Sequence, residues 1–317
     1  MTSRERFFCT LSHKEPDRIP YNARLVPNRA EALEKHLGIF VPYYEHFCDD
    51  IVFAGRILPW GDFPEPFDIY TDEIPLPESG KIADVTKQIA LLKSQDKVVA
   101  NSYTPGVFEH VKSFLGDEET LIKMYTEPEK LHSIIDKIST WHCKLYEAYA
   151  SMGLDIVWMG DDLGTQRSLI MSLDDYRLFY KPHHVKIIST IKAVNPDIKV
   201  AFHCCGCVEP LVPELIEIGV DILETVQPEA KNDLAFLKKE YGQRLTFWGG
   251  IGTQSLFFDK TPDEVKDGVR SPLKIMSADG GYIAAPCHTI TEEVRVENII
   301  AFYEAIEAFG GYPFPGK

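Results

Sequence analysis

The strongest constraint in this sequence is the repeated alternation of short apolar, β-rich runs with helical patterns. Ile19 to Tyr21, Asp50 to Ala54, Val98 to Ser102, Asp155 to Met159, Lys199 to Phe202, Asp221 to Val226, Leu245 to Trp248 and Gly281 to Ala285 read as eight strands. Helical spacing covers Arg4 to Leu11, Ala30 to Leu37, Gly106 to Leu115, Pro128 to Met152 and a stretch from Leu173 to Ala193 broken at Pro182. It returns over Val208 to Ile218, Asp233 to Tyr241, Asp263 to Met276 and Glu292 to Phe309. Such alternation predicts a parallel sheet closed on itself, a single (β/α)8 TIM barrel over residues 1–317. An open doubly wound sheet competes, but no G-x-G-x-x-G follows an early strand and no reversal of strand order is visible. Around 58–77 the run P-W-G-D-F-P-E-P-F-D fits neither period and predicts an irregular loop excursion over the barrel mouth.

Charge and cysteine usage narrow the partners. A net charge of −15 repels a phosphate backbone, so nucleic acid is not an expected partner. No run approaches the length of apolar sequence that spans a bilayer, and the first residues, M-T-S-R-E-R-F-F-C-T-L-S, carry charges without an apolar core. The expectation is a cytoplasmic enzyme with no leader or membrane anchor. Seven cysteines, three of them within four residues, read as reduced thiols and not as a disulfide framework.

In a barrel of this kind the chemistry belongs at the C-terminal ends of the strands, and polar residues gather there. Asp161 and Asp162 follow the fourth predicted strand, His203 and Cys205 the fifth, and Glu224 and Gln227 belong to the sixth. Gly249, Gly250 and Gln254 follow the seventh, and Cys287 with His288 the eighth. The densest stretch is V-A-F-H-C-C-G-C-V-E-P, residues 200–210. Imidazole and thiolate two residues apart on an extended segment point to one side, a donor pair that zinc accepts. A third ligand has to come from elsewhere, and Cys287-His288 is the candidate if both strand ends share one face of the barrel. The plainer reading makes the cysteines small core residues and His203 a hydrogen-bonded core histidine. Asp162 and Gln254, taken singly, read as helix caps or loop-closing groups. Gly249-Gly250 reads as a close approach of backbone to a ligand or a neighbouring loop.

Together these residues resemble the uroporphyrinogen decarboxylase superfamily, and within it the corrinoid-dependent methyltransferase branch. The matching segments are Arg4-Glu5-Arg6, Pro16-Asp17-Arg18-Ile19-Pro20, Gly160-Asp161-Asp162-Leu163-Gly164-Thr165-Gln166, and His203-x-Cys205-Gly206. They continue with Gly219 to Leu223, Val226-Gln227-Pro228, Phe247 to Gly250 with Gln254, and Gly280 to Ile283 through His288 to Glu297-Asn298. The resemblance implies a (β/α)8 barrel. The decarboxylases hold a polycarboxylate substrate with arginines around a motif like R-Q-A-G-R. Here Asn22-Ala-Arg24-Leu-Val-Pro-Asn-Arg29 stands instead, which argues against porphyrinogen decarboxylation.

The methyltransferase branch implies zinc held by His203, Cys205 and Cys287, with His288 as the alternative third ligand and Glu224 as a fourth or exchangeable group. Asp161, Glu224 and His288 are then the candidate catalytic residues, and Gln166, Gln227 and Gln254 the candidates for cofactor contact. The implied activity moves a methyl group between a corrinoid protein and a small substrate, either a thiol acceptor or a methoxylated donor. The corrinoid would ride on a separate partner, because the chain has no D-x-H-x-x-G of its own; a homodimer is compatible with this reading. A rival is a metal-free decarboxylase or lyase with Asp161 and His288 as acid and base. Another is a non-catalytic barrel binding an aromatic or tetrapyrrole through Trp60, Phe63 and Trp248.

Overall fold

The structure, a computed structural model, describes residues 1–58 and 67–312. Seven parallel strands are joined in sequence order into one sheet: β1 Ile51–Phe53, β2 Val98–Ala100, β3 Ile156–Gly160, β4 Lys199–Cys204, β5 Ile222–Thr225, β6 Thr246–Ile251 and β7 Tyr282–Pro286. Helices fill the connections, giving a TIM-barrel-like α/β fold. The expected first of eight strands, Ile19 to Tyr21, is not a strand. Pro20 has no amide hydrogen, and the Tyr21 N–H goes to the Asp50 carboxylate at 3.0 Å, so no ladder propagates. The segment makes single bridges instead, Tyr21 to Ala284 and Leu25 to Ile290. It still sits between the sheet's two edges: Ala284 N–H donates to Pro20 O at 2.9 Å, and Asp50 N–H donates to Tyr21 O at 2.9 Å.

Other departures from expectation also trace to backbone chemistry. The helix expected from Val208 shortens to Val212–Glu217 behind a 3-10 turn at Glu209–Leu211, since Pro210 and Pro213 each withhold an N–H. The break expected at Pro182 falls at Tyr180, and Pro182 sits in the first turn of Lys181–Val194, where its missing donor costs nothing. Strand β4 runs on through Cys204, so His203 lies in the strand and not in the loop after it. Helices Ser79–Ser94 and Asp117–Thr126 had no counterpart in the expectations. The first buries only a thin stripe, Val85, Ile89 and Leu92. Residues 67–77 are irregular, whereas Trp60 and Phe63 lie outside the described residues.

Side chains alternate along each strand, and this sorts the core into two parts. Ile156 and Trp158, Ala201, Ile222, Trp248, and Ile283 with Ala285 fill the barrel interior. Val157 and Met159, Val200 and Phe202, Leu223, Phe247, and Tyr282 with Ala284 face the surrounding helices. Phe7 of helix Ser3–Leu11, with Leu11 against it, packs into the interior cluster. The arginines near the start form ion pairs beside it: Arg6 and Arg18 reach the fully buried Asp50 at 2.6 and 2.7 Å, and Arg4 reaches Asp155 at 2.6 Å. Asp50 therefore ties the N-terminal segment to the start of β1. Among the described residues no helix is long and apolar enough to cross a membrane. All seven cysteines are free thiols.

Among the described residues, four buried histidines, His110, His142, His183 and His184, pack among the helices outside the sheet. Burial lowers His110, His142 and His183, the last to about 4 despite Asp136 nearby. A base whose folded value lies below its unfolded value of 6.5 binds more protons in the unfolded chain, so it destabilises the fold as pH drops below about 6.5. For His183 that amounts to about 1–2 kcal/mol between pH 7 and 5. His183→Gln should therefore show a shallower fall of the urea midpoint over this range than the wild type. Equal slopes would show that His183 is not held neutral.

Candidate metal centre

The same alternation sets the uppermost inward layer of the barrel. His203 is two residues past Ala201, Glu224 two past Ile222, and the register pairs His203 with Glu224 across β4 and β5. His203 Nδ1 is hydrogen-bonded to Glu224 Oε2, which leaves Nε2 facing Cys205 Sγ at 3.4 Å and Asp162 Oδ1 at 3.5 Å. Among the described residues, Asp162, His203 and Cys205 form the group whose ligand atoms all lie within 4.8 Å of one another. Ligands bound tetrahedrally at about 2.0–2.3 Å sit about 3.3–3.8 Å apart, so the separations of thiol and carboxylate from His203 Nε2, 3.4 and 3.5 Å, match those of zinc ligands. The carboxylate behind the imidazole is the usual outer partner of a metal-bound histidine.

The loop carrying Cys205 is held on several sides. Cys205 N–H donates to Asp162 Oδ1 at 2.8 Å. Gly206 has φ +87° and lies so close to the loop after β3 that a Cβ would meet Gly164 C at 2.3 Å. Gln227 accepts from Gly206 N–H at 3.1 Å, and the buried Asn232 donates to Gly206 O at 2.9 Å while accepting from Val208 and Glu209 N–H. Gln227 thus supports the loop's backbone. At Gly249 a Cβ would meet Thr225 O at 2.1 Å, so the expected close approach is to the neighbouring strand.

Charges in the layer are coupled. Burial works against a charged His203, but the Glu224 carboxylate beside it wins and raises the imidazole well above its usual value. Burial likewise opposes charge on Glu224, and His203 with Arg24 overrides it and holds the carboxyl low. Arg24 donates to Glu224 Oε1 at 2.8 Å and lies over the Trp158 ring at 4.4 Å. Burial raises the Cys205 thiol against the pull of His203. On the other flank the Tyr103 ring lies 4.8 Å from His203, and its hydroxyl donates to Glu109.

The remaining predicted residues fall elsewhere. Asp161 has the opposite strand phase to Asp162: it is fully buried, accepts from Phe108 and Glu109 N–H at the start of helix Val107–Leu115, and pairs with His184 at 2.8 Å. It is the helix-capping member of the two aspartates, and Asp162 is the one in the site. Cys287 is fully buried and outside the group of three, its Sγ 3.2 Å from Thr225 O. Burial raises its thiol, and the charge of Glu229, followed by those of Glu224 and Cys205, adds to it. His288 is exposed, its ring on Thr289 O at 3.3 Å. Gln166 is exposed on the loop after β3, Gln254 is exposed in the short helix Thr253–Leu256 that follows β6, and Trp248 is buried in the barrel interior. Asn232, Tyr103 and Glu109 carry no motif. The signal that identifies Asp162 is the phase of the strand before it, with Trp158 and Gly160 on the inner face.

The uroporphyrinogen decarboxylase (URO-D) family profile matches residues 65–309, well over half of the chain. The chain belongs to the uroporphyrinogen decarboxylase family. Within this family it is 23% identical over 180 residues to a uroporphyrinogen decarboxylase of Synechocystis sp., covering 57% of this chain and 48% of that protein. It is 24% identical over 182 residues to the methylated-thiol--coenzyme M methyltransferase of Methanosarcina mazei, covering 57% and 45%. The chain thus spans about half the length of the curated relatives it matches. A solved structure described as a methyltransferase from Methanosarcina mazei superposes with a TM-score of 0.76 at 16% identity over 98% of this chain and 99% of that one, a likeness of fold.

Replacing Gly206 with alanine should destabilise this URO-D family barrel by more than about 1 kcal/mol, because the left-handed backbone and the missing space act together. A chemical-denaturation curve checks this, and a midpoint equal to wild type would contradict the packing at Gly164.

Proposed function

We propose that this protein is a zinc-dependent methyltransferase that works with a separate corrinoid protein. The observation that carries the reading is the convergence of Asp162, His203 and Cys205 beside the inward carboxylate Glu224. Its family membership and its likeness to a methylated-thiol methyltransferase support the same class.

His203 would ligate through Nε2, with its Nδ1–H held by Glu224 so that the lone pair faces the ion. Cys205 would supply the thiolate, and Asp162, on the more open side with 34% of its side chain exposed, the third ligand. Cys287 is the alternative or additional sulfur, since its strand phase follows Ala285 on the inner face. Zinc bound there would lower the cost of negative charge on a thiol acceptor's sulfur, or on the oxygen of a methyl ether or methanol-like donor. Arg24 holds Glu224 ionised and so keeps the imidazole oriented. The aromatic rings of Phe53, Tyr103, Trp158 and Trp248 pack around this layer, with Tyr103 and Trp158 against His203, and limit water at the reacting atoms. In the metal-free decarboxylase reading Asp161 would have to act while holding a helix N-terminus, and His288 from an exposed position with its ring on Thr289 O.

Metal analysis of purified variants tests the ligand set. Cys205→Ala should lose most bound zinc with little change in thermal unfolding, and Glu224→Gln should weaken zinc by about 10–100-fold. Loss of zinc in Asp162→Asn but not in Cys287→Ser would assign the third ligand to Asp162, and the reverse to Cys287. A Cys205→Ala protein that keeps full zinc would refute the reading.

A further inference from the structure

One partly buried carboxyl stands beside the metal layer. Glu109, in the first turn of helix Val107–Leu115, accepts a hydrogen bond from the Tyr103 hydroxyl, with Gly106 N–H at a long 3.4 Å. The Tyr103 ring stands between Glu109 and the site, 4.8 Å from the His203 ring and 5.1 Å from Trp158. The charged groups facing Glu109 are Asp161 and Asp162 from the loop after β3 and His203 from β4. On its own helix the Lys112 amine turns away, to Asp117 at 3.7 Å and over the Phe108 ring. His110, also on that helix, is held neutral by burial. The tyrosine hydroxyl links this carboxyl to the edge of the metal-binding layer, while Asp161 accepts from the Phe108 and Glu109 amides at the same helix start.

We propose that Tyr103 and Glu109 form the route by which the acceptor thiol loses its proton. This rests on the methyltransferase reading above. The S–H bond breaks, its electron pair stays on sulfur, the proton passes to Tyr103 Oη, and the Tyr103 proton passes to Glu109. Thiol plus carboxylate becomes thiolate plus carboxylic acid, with no change of net charge and no oxidant or reductant. Glu109 acts through Tyr103 and is a positioning residue. The hydrogen bond from the Tyr103 hydroxyl to the Glu109 carboxylate gives that proton its acceptor.

The test uses cobalt(II)-substituted full-length protein and 2-mercaptoethanol as the probe thiol, at pH 8. Cobalt absorption reports thiol binding, and the infrared band of a protonated carboxyl reports the proton. In the wild type the carboxyl band should grow as the thiol binds. In Glu109→Gln, which keeps the hydrogen bond, the cobalt spectrum should respond without that band, and Tyr103→Phe should slow the band's growth by about tenfold or more. A cobalt response with no carboxyl band in the wild type, or a band that persists in Glu109→Gln, would overturn the proposal. A cobalt spectrum indifferent to the thiol would instead remove the methyltransferase reading beneath it, and this inference with it.

Discussion

The contact between His203 and Glu224 is the constraint on which the mouth of this barrel depends. Two adjacent parallel strands place the residues in register on the inner face, and the carboxylate fixes which imidazole nitrogen keeps its proton. That choice turns Nε2 toward Cys205 and Asp162. Taking a carboxylate and an imidazole out of water is costly, and the cost is offset only because each has a partner: Arg24 for one, Asp162 and Cys205 for the other. Removing Glu224 or Arg24 would leave a buried charge without its main partner, whereas His203 keeps Glu224 and Asp162 when Cys205 is removed.

Rigidity at that point comes from the backbone. Gly164 against Gly206, and Gly249 against Thr225, let neighbouring strand ends approach closer than any side chain permits. Gln227 and Asn232 satisfy the amides and carbonyls that the tight turn leaves over. The position of Cys205 is therefore set by the barrel and its loop closures, and ion pairs such as Arg6–Asp50 and Arg18–Asp50 secure the N-terminal segment that bridges the sheet's edges.

Much of this was legible in the sequence. Seven of the eight predicted strands are strands because buried parallel strands are written as short apolar runs bounded by turns. Ile19 to Tyr21 has the same apolar look, but one proline removes the donor a ladder needs. His203 and Cys205 were legible as a pair because a spacing of two on an extended segment has a fixed geometric meaning. Asp161 and Asp162 were not separable, since adjacent residues differ only in strand phase, and phase is fixed by packing across the sheet. Asn232 and Glu109 were invisible for a further reason. Neither carries a motif, and each acquires its role through a contact made across a loop or a tyrosine.

The central claim is that His203 and Cys205 share one cation. Zinc K-edge X-ray absorption on the purified wild-type protein tests it most directly. The account predicts near-stoichiometric zinc with one sulfur at about 2.3 Å and nitrogen or oxygen neighbours at about 2.0–2.2 Å, or two sulfurs if Cys287 joins. Zinc surrounded by nitrogen and oxygen alone, or protein that takes up no zinc, would contradict it.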